Sequence, residues 1–336
     1  MLTVSVVGPK GGCGKTTTAI SLAGLFAGKG MRTLLIDVDP QGHCAAGLAI
    51  PAKSVEFNAG DAMNSLARSA SCPSEYAWHI SRGLSLIPGG RSLERFGVTR
   101  RGAEDPEAEW TLDSLIRRMW DAFDVCVVDA PASEGILRRS AINAASMVVV
   151  PVEVSYYSLL GVDTLMERIS QQSERRATRQ RVAILPTMYD GSTIATDLLE
   201  QLRSKWGARV SPYPVRSDVS VREAASFGQP VGTYNKDAPA SKDYASVCDW
   251  LCGQADDDRS DLLFSAESYS LARFIRDGDR YEPAGRTAEP SAKARPGDDA
   301  TPQVGSRDDQ AAPSRLDHVA KRVGEARAEA QRARTR

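Results

Sequence analysis

The chain has 336 residues and a formal net charge of −1, because 42 lysines and arginines are balanced by 43 aspartates and glutamates. This balance excludes a global positive field that would draw the protein onto DNA or an anionic membrane. No apolar run approaches membrane-spanning length, and the chain enters an apolar strand at once, so we expect neither a membrane span nor a signal peptide. The six cysteines are scattered without zinc-ligand spacing, so we expect a cytoplasmic protein without a structural zinc site.

Apolar runs alternate with helical patterns as far as about residue 253, which predicts a doubly wound, mostly parallel α/β sheet with helices on both faces. The predicted strands are 2–7, 33–37, 84–87, 125–129, 147–152 and 181–186, with a shorter one near 209–213. Residues 51–82 are the least periodic part of this region and predict helical packing with loops. Residues 91–109 are polar and predict an exposed excursion.

The character of the sequence changes after residue 254, which predicts one domain over 1–254 and a tail. Bulky apolar residues in 255–276 predict an amphipathic helical extension. Residues 277–314 are rich in Pro, Gly, Ala, Asp and Arg and predict a disordered linker, because they cannot bury enough apolar surface to fold. The Ala/Arg/Glu-rich residues 315–336 predict a basic helical tail.

The most informative motif follows the first predicted strand, where residues 10–17 read KGGCGKTT. Gly-Lys-Thr before a helix is the core of a P-loop, in which backbone N–H groups cradle phosphates at a helix N-terminus. Lys15 is predicted to neutralise the β- and γ-phosphates, the hydroxyl of Thr16 to ligate Mg²⁺, and Thr17 to donate to the α-phosphate. The residues predicted to line the phosphate site are Gly11, Gly12, Cys13, Gly14, Lys15, Thr16 and Thr17.

Carboxylates follow two further predicted strands at the points where these strands end. Asp37 and Asp39 end the run 33–37 and its exit turn, and Asp129 ends the run 125–129. Open α/β sheets bind ligands at the carboxyl ends of their strands, so we expect these acids beside the P-loop. Asp129 is predicted to hold Mg²⁺ through its water shell, and either Asp37 or Asp39 to polarise the attacking water. The motifs together predict a Mg²⁺-dependent ATP hydrolase.

Three segments, KGGCGKTT, DVDPQG and VVDAP, together resemble those of the ParA/MinD family of P-loop ATPases, and most of all its Soj-like ParA branch. The lysine at the front of the loop, Lys10, is the distinctive part, since Pro9 stands where a standard P-loop has its first glycine. PTMYD at 186–190 and EAASFGQP at 223–230 also look like segments of that branch, so the resemblance covers about residues 1–254.

The resemblance implies an ATP-bound sandwich dimer in which Lys10 reaches across the interface to the partner's phosphates. A positive charge that reaches the phosphates only on dimerisation would couple hydrolysis to assembly, much as an arginine finger does. The family further implies Asp39 in water activation, Asp37 nearer the Mg²⁺ shell, and Met188 and Pro214 as contacts of the nucleotide.

The resemblance also implies nonspecific DNA binding on the nucleoid and a ParB-like partner that stimulates slow hydrolysis in partitioning of a chromosome or plasmid. Such binding needs basic side chains that meet phosphates. This chain departs from the Soj-like pattern, because Ser220 stands where those relatives carry an arginine. The candidate basic residues are Arg175, Arg176, Arg179, Arg181, Arg203, Lys205, Arg216, Arg222, Lys236 and Lys242.

Three alternatives stay open at this point. The first is a ParA-like ATPase that positions a protein cargo or organelle, with the residues after 254 as its adaptor surface. The second is a MinD-like membrane-associated ATPase, which is disfavoured because 315–336 lack Phe, Trp and Ile and because acids flank 262–275. The third is a carrier resembling the nitrogenase iron protein, disfavoured because residues 130–134 contain no cysteine and Cys126 lies within an apolar strand.

Overall fold

The computed structural model describes residues 1–66, 73–99, 106–174 and 180–256. The predicted linker 277–314 and basic tail 315–336 lie outside these described residues, as does the predicted extension beyond residue 256. Their organisation stays a prediction.

The described part of the chain is organised around one seven-stranded sheet. Its strands are β1 (Leu2–Val6), β2 (Thr33–Asp37), β3 (Trp78–Ser81), β4 (Leu84–Ile87), β5 (Val125–Asp129), β6 (Met147–Glu153) and β7 (Arg181–Thr187). The strand order is β3-β4-β2-β5-β1-β6-β7, and every neighbouring pair is parallel except β3 with β4. The predicted doubly wound, mostly parallel sheet is therefore confirmed.

Helices follow most of the strands. They are α1 (Lys15–Gly28), α2 (His43–Gly47), α3 (Ala59–Ser65), α4 (Ser92–Thr99), α5 (Thr111–Arg118), α6 (Ile136–Ala144), α7 (Tyr156–Glu174), α8 (Thr193–Trp206), α9 (Val219–Ser226), α10 (Val231–Tyr234) and α11 (Pro239–Asp256). Short 3-10 turns lie at Ala52–Ser54, Pro73–Tyr76, Pro106–Trp110 and Gly207–Arg209.

Two hydrophobic cores lie on opposite faces of the sheet, because successive side chains of a strand point to opposite sides. On β2, Leu34 and Ile36 join a core with apolar side chains of α3 to α8, and Leu35 joins a second core with α1, α2 and α9 to α11. These three residues are fully buried. Each such side chain contributes about 1.5–3 kcal/mol relative to exposure, so the packing of both layers fixes where the strand ends lie.

The structure differs from the predicted elements in three places. Residues 78–81 form the antiparallel edge strand β3 within a segment predicted to be helical packing with loops, because a turn at Gly83 (φ 79°) returns the chain along β4. Residues 209–213 form no strand, and only Val210 bridges to Ile184, since prolines at 212 and 214 cannot donate to a ladder. The third difference lies in the segment 91–109.

The segment 91–109 is not simply an exposed excursion. Its residues 92–99 form α4, and Leu93 and Phe96 of this helix are 0% and 1% exposed. Ala108 in the following 3-10 turn is also fully buried. The three-residue spacing of Leu93 and Phe96 places both on one helix face, which packs into the core against α3 and α6 despite the polar background.

Candidate active site

The P-loop connects the end of β1 to the start of α1 at the carboxyl edge of the sheet. Gly12 (φ 81°) and Gly14 (φ 86°) adopt left-handed backbone conformations that only glycine takes up at little cost. Gly8 is required for a different reason, because a Cβ there would lie 2.4 Å from the sulfur of the buried Cys13. The loop therefore depends on its glycines for both backbone shape and close packing.

Two side chains from other elements hold this loop from behind. Thr187, at the end of β7, donates its hydroxyl to the Cys13 carbonyl oxygen at 3.1 Å. Arg138, a buried residue of α6, donates its Nη2 to the Gly8 carbonyl oxygen at 3.1 Å. Neither residue was predicted from the sequence. Thr187 lies inside the PTMYD segment and could have been found there, whereas nothing in the sequence marks Arg138.

The two lysines of the motif point to different partners. Lys15 is 8% exposed and its ammonium group donates to the Lys10 carbonyl oxygen at 3.2 Å, within the loop itself. The Lys10 ammonium group instead lies 2.7 Å from Glu153 Oε2 at the end of β6, and the Lys10 side chain is 41% exposed. Glu153 was not predicted, although an acid at a strand end is the same signal that identified Asp37 and Asp129.

The predicted metal-binding residues lie together. Asp37 and Asp129 are directly paired in the register of β2 and β5, and both carboxyl groups are buried. Thr16 donates its hydroxyl to Asp129 Oδ2 at 2.7 Å, and the Cys44 thiol donates to the same oxygen at 3.4 Å. Asp37 accepts backbone N–H groups from Cys44 at 3.0 Å and Asp39 at 2.9 Å. The predicted Mg²⁺ ligands thus form one cluster beside the P-loop.

Burial dominates the protonation of this cluster. Removal from water raises the pKa of Asp129 to about 6, although hydrogen bonds from Thr16 and Cys44 and the charge of Lys15 oppose the rise. The pKa of Asp37 is raised well above its usual range by burial and by the neighbouring charge of Asp129. Burial likewise raises the pKa of the Cys44 thiol, which keeps it protonated at neutral pH.

The cluster fits a hard divalent cation. Asp129 Oδ1 is buried and has no hydrogen-bond partner among the described residues, although the other oxygen of the same carboxyl group has two. Ligand atoms of Asp37, Cys44 and Asp129 lie within 4.8 Å of one another. Carboxylate and hydroxyl oxygens are the ligands that Mg²⁺ prefers, and Thr16 supplies the hydroxyl.

Asp39 lies at the rim of the cluster, in the turn between β2 and α2. It is half-buried, and its Oδ1 accepts the backbone N–H of Gln41 at 3.0 Å. Its carbonyl oxygen packs against Gly89, where a Cβ would approach to 2.3 Å. This contact fixes the path of the turn and hence the position of the Asp39 side chain relative to Asp37.

The two predicted nucleotide contacts outside the P-loop lie on adjacent backbone segments. The Val215 N–H donates to the Pro186 carbonyl oxygen at 2.8 Å, and the Tyr189 N–H to the Val215 carbonyl oxygen at 3.0 Å, which brings Met188 and Pro214 side by side. Met188 is 44% exposed and has φ 54°, an uncommon conformation for a residue with a Cβ. Through Thr187 this segment connects directly to the P-loop.

The predicted DNA-binding residues differ in what their side chains contact. Arg216 makes a bidentate pair with Asp243 (2.7 and 2.8 Å), and Lys205 pairs with Asp163 at 2.6 Å. Arg203 donates to the Pro212 carbonyl oxygen, and Ser220 is buried at the start of α9. Among the candidates, Arg222, Lys236 and Lys242 are exposed and their side chains have no partner in the described part of the chain. The candidates Arg175, Arg176 and Arg179 lie outside the described residues.

Comparison with known proteins decides the family. A family model described as an AAA domain matches residues 1–184. The chain is 32% identical over 250 residues to the chromosome-partitioning ATPase Soj of Thermus thermophilus, covering 73% of this chain and 93% of that protein. The chain belongs to the ParA/MinD family of P-loop ATPases, in its Soj-like branch. The ParA chromosome partitioning protein of Caulobacter vibrioides is 31% identical over 252 residues, with coverage of 73% and 91%.

Solved structures agree with the fold of this ParA-like ATPase. Cobyrinic acid a,c-diamide synthase from Mycobacterium smegmatis, with bound ADP and magnesium, superposes with a TM-score of 0.64 at 23% identity and covers 77% of this chain and 97% of that one. McdA from Cyanothece gives a TM-score of 0.66 at 19% identity, with coverage of 75% and 99%. The relatives and the P-loop together establish ATP hydrolysis as the activity. Within the described residues, no helix of this ATPase is both long and apolar enough to cross a bilayer.

Proposed function

We propose that this ParA-like ATPase dimerises on binding ATP and Mg²⁺, that the dimer binds DNA without sequence preference, and that hydrolysis stimulated by a ParB-like partner releases it. Such a cycle partitions a chromosome or plasmid over the nucleoid. The observation that carries the proposal is that the side chains of the two loop lysines lie in different places. Lys15 is buried on its own loop, whereas the Lys10 ammonium group lies outside the loop on an exposed ion pair, from which it can act on a partner's phosphates.

Phosphoryl transfer depends mainly on positioning and on neutralising charge, and the residues of this chain divide those tasks. The loop N–H groups hold the phosphates, and Lys15 exchanges the Lys10 carbonyl oxygen for the β- and γ-phosphates. Asp39 at the rim orients the attacking water. Lys10 of the partner subunit would complete the positive charge, so that turnover waits for the dimer.

The remaining predicted residues hold the ligand in place. Thr16, Asp37 and Asp129 would hold Mg²⁺, which when bound neutralises charge on the β- and γ-phosphate oxygens. Thr17, in the first turn of α1, donates to the α-phosphate. Met188 and Pro214 would flank the nucleotide beyond the loop, where their backbone segments lie together.

The role of Lys10 is tested by comparing variants in light scattering, nucleotide binding and ATP turnover. Lys15→Ala should abolish productive ATP binding, Lys10→Ala should bind nucleotide as a monomer, and Asp39→Ala should form a dimer locked with ATP. Lys53→Ala, which removes an exposed lysine from a 3-10 turn, is the control. Normal dimerisation and hydrolysis by Lys10→Ala would show that the lysine does not act in trans.

DNA binding is tested with nonspecific duplex and ATP, ADP or no nucleotide across a salt series. Binding only with ATP is expected, and its logarithmic salt slope should count neutralised phosphates at about 0.9 per contact. Arg222→Ala and Lys236→Ala should each lower this slope by about one, because these side chains are exposed without an acidic partner in the described chain. Arg216→Ala should change it less, since Asp243 already neutralises that arginine.

The cargo-positioning alternative shares this catalytic core, so only the identity of the stimulating partner can distinguish it from DNA partitioning. Stimulation of the DNA-bound ATPase by a ParB-like protein of the same genome would support partitioning of DNA. Binding to DNA without any such stimulation would favour a protein cargo. Absence of DNA binding in every nucleotide state, together with recruitment to lipid vesicles, would instead favour the MinD-like alternative.

A further inference from the structure

We propose that Glu153 is a positioning residue that holds Lys10 on its own protomer and thereby sets the ATP-dependent dimerisation constant. This inference rests on the proposed role of Lys10 in trans. Glu153 is the last residue of β6, the strand beside β1, so its carboxylate lies at the same sheet edge as the P-loop. The distance between Lys10 Nζ and Glu153 Oε2 is 2.7 Å.

The Glu153 carboxylate is itself held in place. The Ser158 hydroxyl in the first turn of α7 donates to Glu153 Oε2 at 3.3 Å, and the Ser155 and Ser158 hydroxyls lie 2.8 Å apart. The hydrogen bond from Lys10 lowers the pKa of Glu153, so the acid stays ionised at neutral pH. Lys10 therefore faces a charged, oriented acceptor on its own chain.

The exposure of the pair limits the strength of this restraint. The side chains of Lys10 and Glu153 are 41% and 34% exposed, and ion pairs of such exposure change an equilibrium constant by about 1.4-fold to 5-fold. A symmetric dimer releases two Lys10 side chains, one from each subunit. The two effects multiply, so removal of both pairs should tighten dimerisation by about 2-fold to 30-fold. A restraint of this size would raise the ATP concentration needed for dimerisation without preventing the dimer from forming.

The test is the dimer dissociation constant of the full chain with a slowly hydrolysed ATP analogue and Mg²⁺, measured by analytical ultracentrifugation. Glu153→Gln keeps the size of the side chain and removes its charge, and its dissociation constant should fall by about 2-fold to 30-fold. Glu153→Asp keeps the charge on a shorter stem and should lie between Glu153→Gln and the wild type. A merely structural role predicts the opposite sign, namely weaker dimerisation together with a lower unfolding temperature.

A matched control is available on α7. Asp163 pairs with Lys205 at 2.6 Å with side-chain exposures of 42% and 57%, close to those of the Lys10 pair. Asp163→Asn removes the same charge from an ion pair that does not involve Lys10. Its dimer dissociation constant should therefore stay at the wild-type value, which separates the specific contact from the change in net charge.

The outcomes separate this inference from the proposed function. If Lys10→Ala cannot dimerise but Glu153→Gln dimerises like the wild type or more weakly, the restraint is refuted while the trans lysine stands. If Lys10→Ala dimerises normally, the proposed role of Lys10 fails, and the inference about Glu153 fails with it.

Discussion

Replacement of Asp129 by Asn should stabilise the folded protein at neutral pH while abolishing Mg²⁺-dependent hydrolysis. The carboxyl group is fully buried at the end of β5, and its Oδ1 has no partner within the described residues. Asn retains a carbonyl oxygen that can accept the Thr16 hydroxyl, and its amide can donate toward Asp37 in the same cluster. The substitution thus removes a buried charge without removing the main hydrogen bond.

The size of the effect follows from the pKa of Asp129, which is about 6 in the folded chain against an ordinary value of 3.8. A raised folded pKa means that the folded chain binds the proton more tightly than the unfolded chain. The destabilisation by the ionised group is therefore absent below about pH 4, grows between these two values and is complete above about pH 6. At about 1.4 kcal/mol per pKa unit the penalty is about 3 kcal/mol.

The assay is thermal unfolding in EDTA without nucleotide, from about pH 5 to pH 8. The free energy of unfolding of Asp129→Asn should exceed that of the wild type by about 1–3 kcal/mol above pH 7. For a domain of this size this corresponds to a rise in unfolding temperature of about 2–12 °C. The difference between variant and wild type should shrink as the pH falls, because the wild-type carboxyl group becomes protonated.

Asp124, at the other end of β5, provides a control of opposite sign. It is also buried, but its carboxylate pairs with Arg32 at 2.6 Å and accepts the Arg32 backbone N–H at 2.8 Å. Asp124→Asn should therefore lower the unfolding temperature, since it removes the negative charge of a buried, well-oriented ion pair with Arg32. If Asp129→Asn lowered stability at pH 8, or shifted it equally at every pH, the assignment of an unrelieved buried charge would be wrong.

Two further substitutions test the supports of the site. Gly89→Ala should destabilise the fold by about 1–3 kcal/mol and lower kcat, because the new Cβ would meet the Asp39 carbonyl oxygen at 2.3 Å. Gly28→Ala is the control, since a Cβ there meets open space, and it should change neither the free energy of unfolding nor the turnover rate. Thr187→Val should weaken ATP binding severalfold in calorimetry, because the buried Cys13 carbonyl oxygen loses the hydroxyl donor of Thr187. Thr196→Val, which removes a hydroxyl from α8, is the control. If both variants bound ATP equally tightly, β7 would not support the loop through Thr187.

The sequence was sufficient to predict the sheet and the cluster around the P-loop. Strands such as 33–37 and 125–129 are continuous apolar runs ending in Asp, so both their burial and their ligand-facing ends follow from pattern alone. The edge strand at 78–81 could not be predicted in this way. It is short, its residues are only partly buried, and it pairs through a hairpin rather than a crossover helix.

The residues that hold the P-loop and Lys10 in place were harder to predict than the residues expected to face the ligand. Arg138 is a charged residue in an ordinary helix, and its burial beneath Gly8 results from the packing of α6 against the loop. The partner of Lys10 likewise depends on tertiary structure, since Glu153 lies 143 residues away and meets it only because β6 is next to β1. Local motifs predict which groups would meet a ligand, whereas strand order determines which residues hold those groups in place.

The charged side chains of the site share one physical feature. Without a ligand, each of them either pairs with another polar group of the chain or is repelled by a neighbouring charge. The ammonium group of Lys15 donates to a loop carbonyl oxygen, Lys10 is paired with Glu153, and Asp37 and Asp129 repel each other in a buried cluster. A ligand that brings phosphates and a cation would exchange each of these contacts for a stronger one. Stability and dimerisation should therefore respond to the same ligand, since binding to the folded chain alone raises its stability by mass action. On this argument Asp129→Asn should lose most of the thermal shift produced by ATP and Mg²⁺ together, and Glu153→Gln should retain it.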